Sequence, residues 1–297
     1  MRQGRNLTNS RDKTNIFDTM SNKRQKDTII KLGEFLSRHA VFTVDELDRF
    51  LSIKGPVKTN TRRSLLTYYR NQGRIVSIRR GLYATIPLGN DPVSSPIDPY
   101  LVAAKMSEDA VIAYHTALEF HGKAYTVYSR LYYLSARKSL PLSFQSYVFS
   151  RVPIPNLLLE KEKEMFGVVS HRRSGVELKV TNLERTFVDV LDRPDLTGSW
   201  EEIFRSLESV EFFDLDQVVE YVHLLDNATT AAKVGFFLDQ HKETLMVDDA
   251  HLNLLRNLRP RQPHYLDRSQ RKECRLVKEW NLMIPVEIIN QSWGEVL

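Results

Sequence analysis

VKTNTRRSLLTYYRNQGRIVSIRRGLYAT, residues Val57–Thr85, joins an arginine-rich helical pattern to two short β-rich runs. From about Asn60 to Gly73 its apolar residues recur at helical spacing, and Gly73 supplies a stop. Two β-rich runs follow, Arg74–Ile78 and Leu82–Ala84, joined by a tip of Arg79, Arg80 and Gly81. At about 100° per residue, Leu65, Leu66 and Tyr69 fall on one side of the helix, with Arg62 at its flank. Asn60, Arg63, Ser64, Thr67 and Arg70 fall on the opposite side. Arginine bonds bidentately to guanine and asparagine to adenine, while serine and threonine reach bases or phosphates. Such a face suits a major groove, and two arginines at a hairpin tip suit phosphates or a minor groove. The plainer alternatives are a solvated polar face and a solubilising turn.

Upstream, Ile29, Ile30, Leu32, Phe35 and Leu36 mark a helix over Asp27–His39 with Asp27 at its cap. A turn over His39–Phe42 is expected next. Thr43 and Glu46 then form a capping box that starts a second helix through Leu47, Phe50 and Leu51, ended by Gly55-Pro56. Three short helices and a hairpin in this order predict a winged helix-turn-helix. Residues 1–25 lack periodic apolar signal and read as a disordered arm, with Met20 an alternative start to Met1.

Charge divides the chain in the same place. Residues 1–90 carry 18 Lys+Arg against 7 Asp+Glu, a net +11, whereas the remainder has 24 against 30, a net −6. The basic excess persists when the arm is left out, so it belongs to the folded part, as phosphate binding requires. A run rich in Pro, Gly, Asn and Ser over residues 87–97 reads as a linker. The domain scheme is thus an arm (1–25), a DNA-binding domain (26–86), a linker (87–97) and a C-terminal domain (98–297).

That C-terminal stretch opens with helical segments over Asp98–Met106 and Asp109–His121. Strand signals follow at Thr126–Ser135, Ser143–Val152, Phe166–His171 and Val176–Val180, the last two joined by Ser174-Gly175. Helices are expected again at Glu184–Leu191, Trp200–Val210, Asp216–Leu225, Thr229–His241 and Asp248–Leu258. Strands clustered ahead of helices make the class α+β: a winged helix-turn-helix followed by a larger, helix-rich α+β domain. No apolar run approaches the roughly 18 residues of a membrane span, and the N-terminus lacks a signal-peptide core. One cysteine, Cys274, excludes an internal disulfide. The expectation is a cytoplasmic protein without a membrane partner.

Several segments together resemble the AbiEi family, antitoxins of type IV abortive-infection toxin–antitoxin systems. They are RRGLYA (Arg79–Ala84), DPYLVAAKM (Asp98–Met106), YHTALEFHG (Tyr114–Gly122) and VTNLERTFVDVLDRPDLTGSW (Val180–Trp200). AAKVGFFLDQ (Ala231–Gln240), PHYLDR (Pro263–Arg268) and EWNLMIPVEII (Glu279–Ile289) complete the set. The resemblance runs from about Phe35 to the end, and the order and spacing of these pieces carry it. It implies a repressor that binds double-stranded operator DNA of its own operon, with two copies pairing on inverted repeats. It also implies a C-terminal domain that counteracts a nucleotidyltransferase-like toxin, without requiring a direct complex. The Gly55–Lys58 turn and the polar arm depart from the family pattern, which leaves the operator sequence open.

Other chemistry finds little support. His115 and Glu119 share a helix face, but His115 and His121 do not, and no HExxH surrounds them; no metal or cofactor is expected. Glu184, Asp189 and Asp192 sit on one predicted helix, whereas catalytic carboxylates usually converge from several elements. Capping and ion pairing fit them better, and no catalytic residue is assigned. Cys274 has basic neighbours of the kind that lower a thiol pKa, but no reactive role is assigned to it. The rival readings are a DNA-recruited nuclease- or transferase-like enzyme and a stand-alone transcription regulator.

Overall fold

The computed structural model describes residues 32–52 and 59–291. The arm, the Asp27 cap and the Gly55-Pro56 stop lie outside these residues. The chain divides into two compact units: Met1–Ile97 with Ser174–Val176, and Asp98–Arg173 with Glu177–Leu297. Helices and three separate sheets make it an α+β protein.

In the first unit, helix α1 (residues 32–38) buries Leu32, Phe35 and Leu36. Then come β1 (Val41–Thr43), α2 (Val44–Leu51), α3 (Thr59–Asn71), β2 (Ile75–Arg79) and β3 (Leu82–Thr85). The Thr43 hydroxyl accepts from the Glu46 amide at 3.2 Å, and the Glu46 carboxylate accepts from the Thr43 amide at 2.8 Å. This reciprocal pair satisfies two amides that a helix start leaves open. The strands form one sheet in the order β1-β3-β2. Where a turn is expected over His39–Phe42, Val41 and Phe42 are already strand, pairing antiparallel with Ala84 and Tyr83. A three-residue strand is too short for alternation to reveal it. Phe42 and Phe35 meet edge-on at 5.2 Å, and Leu47, Tyr69 and Ile75 close the core around them.

The second unit contains a six-stranded sheet in the order β6-β7-β5-β4-β9-β8. Its strands are β4 (Val111–Ile112), β5 (Arg130–Leu134), β6 (Leu142–Phe144), β7 (Tyr147–Val152), β8 (Val168–Arg173) and β9 (Val176–Thr181). Two expectations fail here. The helix over Asp109–His121 is instead β4 followed by α5 (His115–Phe120), separated at Tyr114 with φ 57°. Its apolar run fits strand or helix equally, and pairing with β5 and β9 decides. The strand over Ser143–Val152 is a hairpin, β6 and β7, reversed at Gln145 with φ 51°. Between β5 and β7 the pairing is parallel.

Helices α4 (Pro99–Ala104) and α6 (Asn156–Glu160) accompany the sheet, and a helical series follows it. It comprises α7 (Leu183–Asp192), α8 (Trp200–Glu208), α9 (Leu215–Leu225), α10 (Ala228–Gln240) and α11 (Asp249–Leu258). Each starts on a polar cap, in turn Asn182, Ser199, Asp214, Asn227 and Asp248, whose side chain accepts first-turn amides. Helix α7 is central and packs against α5, α8, α9 and α10. Phe187 on it stacks on Phe213 at 4.7 Å and meets Phe237 of α10 edge-on at 5.3 Å. A small sheet, β10 (His264–Tyr265), β11 (Cys274–Val277) and β12 (Leu282–Pro285), ends the unit with α12 (Val286–Ile289). No helix among the described residues is long and apolar enough to cross a membrane.

Candidate nucleic-acid interface

Helix α3 is polar by composition, and packing of one edge orients it. Tyr69 is buried and Leu65 and Leu66 are half-buried against the core of the first unit. Burial of that edge leaves Asn60, Arg63, Ser64, Thr67 and Arg70 exposed. Spaced i, i+3, i+4, i+7 and i+10, the five form one stripe along the helix. Arg62 turns the other way and pairs with Asp48 of α2. Neither Arg63 nor Arg70 makes an ion pair among the described residues. No Asp or Glu occurs between Asp48 and Asp91, so nothing local in sequence neutralises this surface.

The hairpin tip is built separately. A bulge between Ser77 and Arg79 shifts the β2–β3 register, and Gly81 reverses the chain with φ 84°. A side chain at Gly81 would meet open space, so the left-handed backbone, and not crowding, favours glycine there. The Gly81 carbonyl accepts from the Val44 amide at 2.9 Å, which ties the tip to the start of α2. Arg80 is exposed and Arg79 is half-buried. The seven residues thus fall into two groups on one unit, five along α3 and two at the hairpin tip.

Residue type alone does not mark Tyr68, yet it stands 48% exposed at the flank of the α3 stripe, edge-on to Tyr69 at 5.3 Å. The helical wheel carries the only signal for it. A solvent-facing aromatic beside a polar stripe offers an apolar contact for a thymine methyl group.

The titratable residues of the second unit occupy structured environments. His115 is fully buried and stacks on Tyr128 at 4.2 Å. Its Nδ1 lies 2.9 Å from Glu119 Oε1, and its Nε2 lies 3.1 Å from Glu202 Oε1. Burial works against ionisation of Glu202, but donors from Thr126, His115 and Ser206 outweigh it and hold the carboxyl below its usual range. This cluster ties α5, α8 and the 125–128 segment together. His121 goes elsewhere, to the Thr181 carbonyl at 2.8 Å. Among the described residues no three His, Cys, Asp or Glu side chains converge in a group that would hold a metal ion.

The three carboxylates of α7 also part company. Glu184 accepts from the Asp214 amide at 3.2 Å, and Asp192 accepts from Asn227 at 3.0 Å and from the Thr230 hydroxyl. Asp189 is buried, accepting from the Tyr221 hydroxyl at 2.6 Å, with Arg185 Nε 3.5 Å away. Arg185 is itself fully buried and donates to the Glu164 and Phe166 carbonyls at 2.8 and 2.7 Å. Burial pushes Asp189 up to about 6 against the opposing pull of Arg185. Cys274 is half-exposed, and burial raises its thiol pKa, the direction opposite to thiolate activation.

By architecture the chain is a two-unit α+β protein. A solved structure shares that architecture: the RV2827C protein from Mycobacterium tuberculosis. The two match with a TM-score of 0.59 over 89% of this chain and 94% of that one, at 19% sequence identity. At this identity the likeness is one of fold. No protein-family model and no curated protein matches the chain.

Proposed function

We propose that the first unit is a winged helix-turn-helix that binds operator DNA, with α3 in the major groove and the β2–β3 hairpin as the wing. One observation carries this reading: the exposed stripe Asn60-Arg63-Ser64-Thr67-Arg70 opposite the buried edge of α3, in a segment free of acidic residues. Helix α2 before it and the β2–β3 hairpin with its arginine tip after it follow the order of that module. Arg63, Arg70 and Asn60 read base edges, while Arg79 and Arg80 hold the backbone or the minor groove.

The second half of the proposal rests on the resemblance to AbiEi antitoxins. In this reading the protein represses its own operon, and its second unit counteracts a nucleotidyltransferase-like toxin without a stable complex being required. A gel-shift titration on the DNA upstream of its own reading frame tests the first half. Absence of a shift below micromolar protein in about 0.1 M salt removes the reading, because specific binders sit far tighter. Co-expression with a neighbouring nucleotidyltransferase-like protein tests the second. Relief of growth arrest supports the antitoxin role, and DNA binding without relief leaves a transcription regulator.

A further inference from the structure

We propose that the second unit contains a small-molecule site whose ligand is a phosphate monoester carrying free hydroxyl groups. The site is a cleft of about 700 Å³, a size common to ligand pockets. Its walls come from the end of α7, the turn into α8, the first two turns of α10, and β10 with the loop after it.

The hydrogen-bonding inventory of the lining is unbalanced in one direction. The carboxylates are already engaged by protein donors. Asp192 takes Asn227 and Thr230, and Asp195 takes Arg193 at 2.9 and 3.0 Å. Asp267 takes the Trp200 indole at 2.9 Å and Ser269 at 2.6 and 2.7 Å. Two cations are left with donors to spare. Lys233 is only 7% exposed, yet no carboxylate lies within 4 Å of it among the described residues. Its ammonium donates to the Leu191 carbonyl at 3.0 Å and sits 5.6 Å from the centre of the Trp200 ring. That leaves two of its three N–H bonds without a described acceptor. Arg268, exposed at the rim, makes no side-chain hydrogen bond or ion pair among the described residues.

Burial disfavours the Lys233 ammonium and pulls its pKa down, with Arg268 adding to the effect, and the charges of Asp192, Asp267 and Asp195 offset this only in part. An anion in the cleft relieves both. Two cations with spare donors match the several terminal oxygens of a phosphate better than one carboxylate. The engaged carboxylates retain lone pairs, since each accepts up to about four hydrogen bonds, and these suit ligand hydroxyls. Tyr265 adds an aromatic wall, with Arg271 stacked 5.4 Å from its centre.

Calorimetric titration of the full-length protein with ribose 5-phosphate and with AMP, beside ribose and adenosine, tests this. Both phosphorylated probes bind, and the unphosphorylated ones do not. Tighter binding of AMP assigns a nucleotide, and equal affinity assigns a sugar phosphate. Arg268→Gln, at an exposed position, weakens binding by about tenfold or more, the loss of one charge-assisted hydrogen bond. Lys233→Met does at least as much while circular dichroism reports an unchanged fold. The proposal is overturned if none of the probes binds up to about 10 mM, well beyond millimolar affinity. It is equally overturned if Arg268→Gln binds like the wild type.

Discussion

Gly235 of α10 faces the indole of Trp280, which is fully buried. A Cβ added there would fall inside van der Waals contact of three carbons of the six-membered part of the ring. The indole has little room to give. Its N–H points to Asp239 at 3.3 Å, and the Arg256 guanidinium covers it 5.4 Å from the ring centre. Gly235→Ala therefore sets two effects against each other. Replacing glycine inside a helix gains about 1 kcal/mol, whereas overpacking a closed core typically costs 1–3 kcal/mol and sometimes more. With a fixed aromatic as the obstacle the upper figure applies, leaving a net loss of roughly 2 kcal/mol. For a unit of this size that lowers the melting temperature by about 4–8 °C. Far-UV circular dichroism melts of the wild type, Gly235→Ala, Trp280→Phe and the double variant form the assay. Phenylalanine lacks the obstructing ring carbons, so in the Trp280→Phe background the alanine is expected to be neutral or stabilising by up to about 1 kcal/mol. A neutral Gly235→Ala in the wild type, or the same loss in both backgrounds, refutes the packing argument.

Other outcomes follow from the same structure. Thr43→Ala removes one arm of the capping box and costs the first unit about 1 kcal/mol, read by chemical denaturation. Asp189 binds its proton more tightly folded than unfolded, so its contribution favours the fold at low pH and is lost as pH rises from about 4 through about 6. Asp189→Asn removes that slope from a stability–pH profile while destabilising the protein at neutral pH, where the Arg185 cation loses its counter-charge. On the proposed DNA-binding reading, Arg63→Ala costs about 1–3 kcal/mol of DNA affinity and relaxes preference at one base pair. Arg80→Ala weakens binding evenly across sequences and reduces the salt slope by about one.

The legible parts of the chain are those whose signals are local. Thr43 and Glu46 announced a capping box, and the Leu65-Leu66-Tyr69 edge of α3 defined which residues remain outside. What escaped depends on partners far away in sequence. Strand β1 is three residues long and is strand because Ala84 and Tyr83 pair with it. Val111 and Ile112 extend because β5 and β9 flank them, although their apolar run suits a helix as well. Arg185 of α7 is fully buried because the carbonyls of residues 164 and 166, some twenty positions upstream, accept from it in the interior. The Lys233 cleft likewise joins α7, α10 and β10, which no sequence spacing brings together.

Sequence reading by α3 is measured by the ratio of affinities for two duplexes. Fluorescence anisotropy titrations at about 0.15 M salt compare the promoter duplex with a shuffled duplex of equal length and composition. A ratio of at least about a thousand is predicted for the wild type, falling sharply in Asn60→Ala and Arg63→Ala while the shuffled duplex binds nearly as before. Equal affinity of the wild type for both duplexes, or a ratio untouched by the two substitutions, contradicts the account.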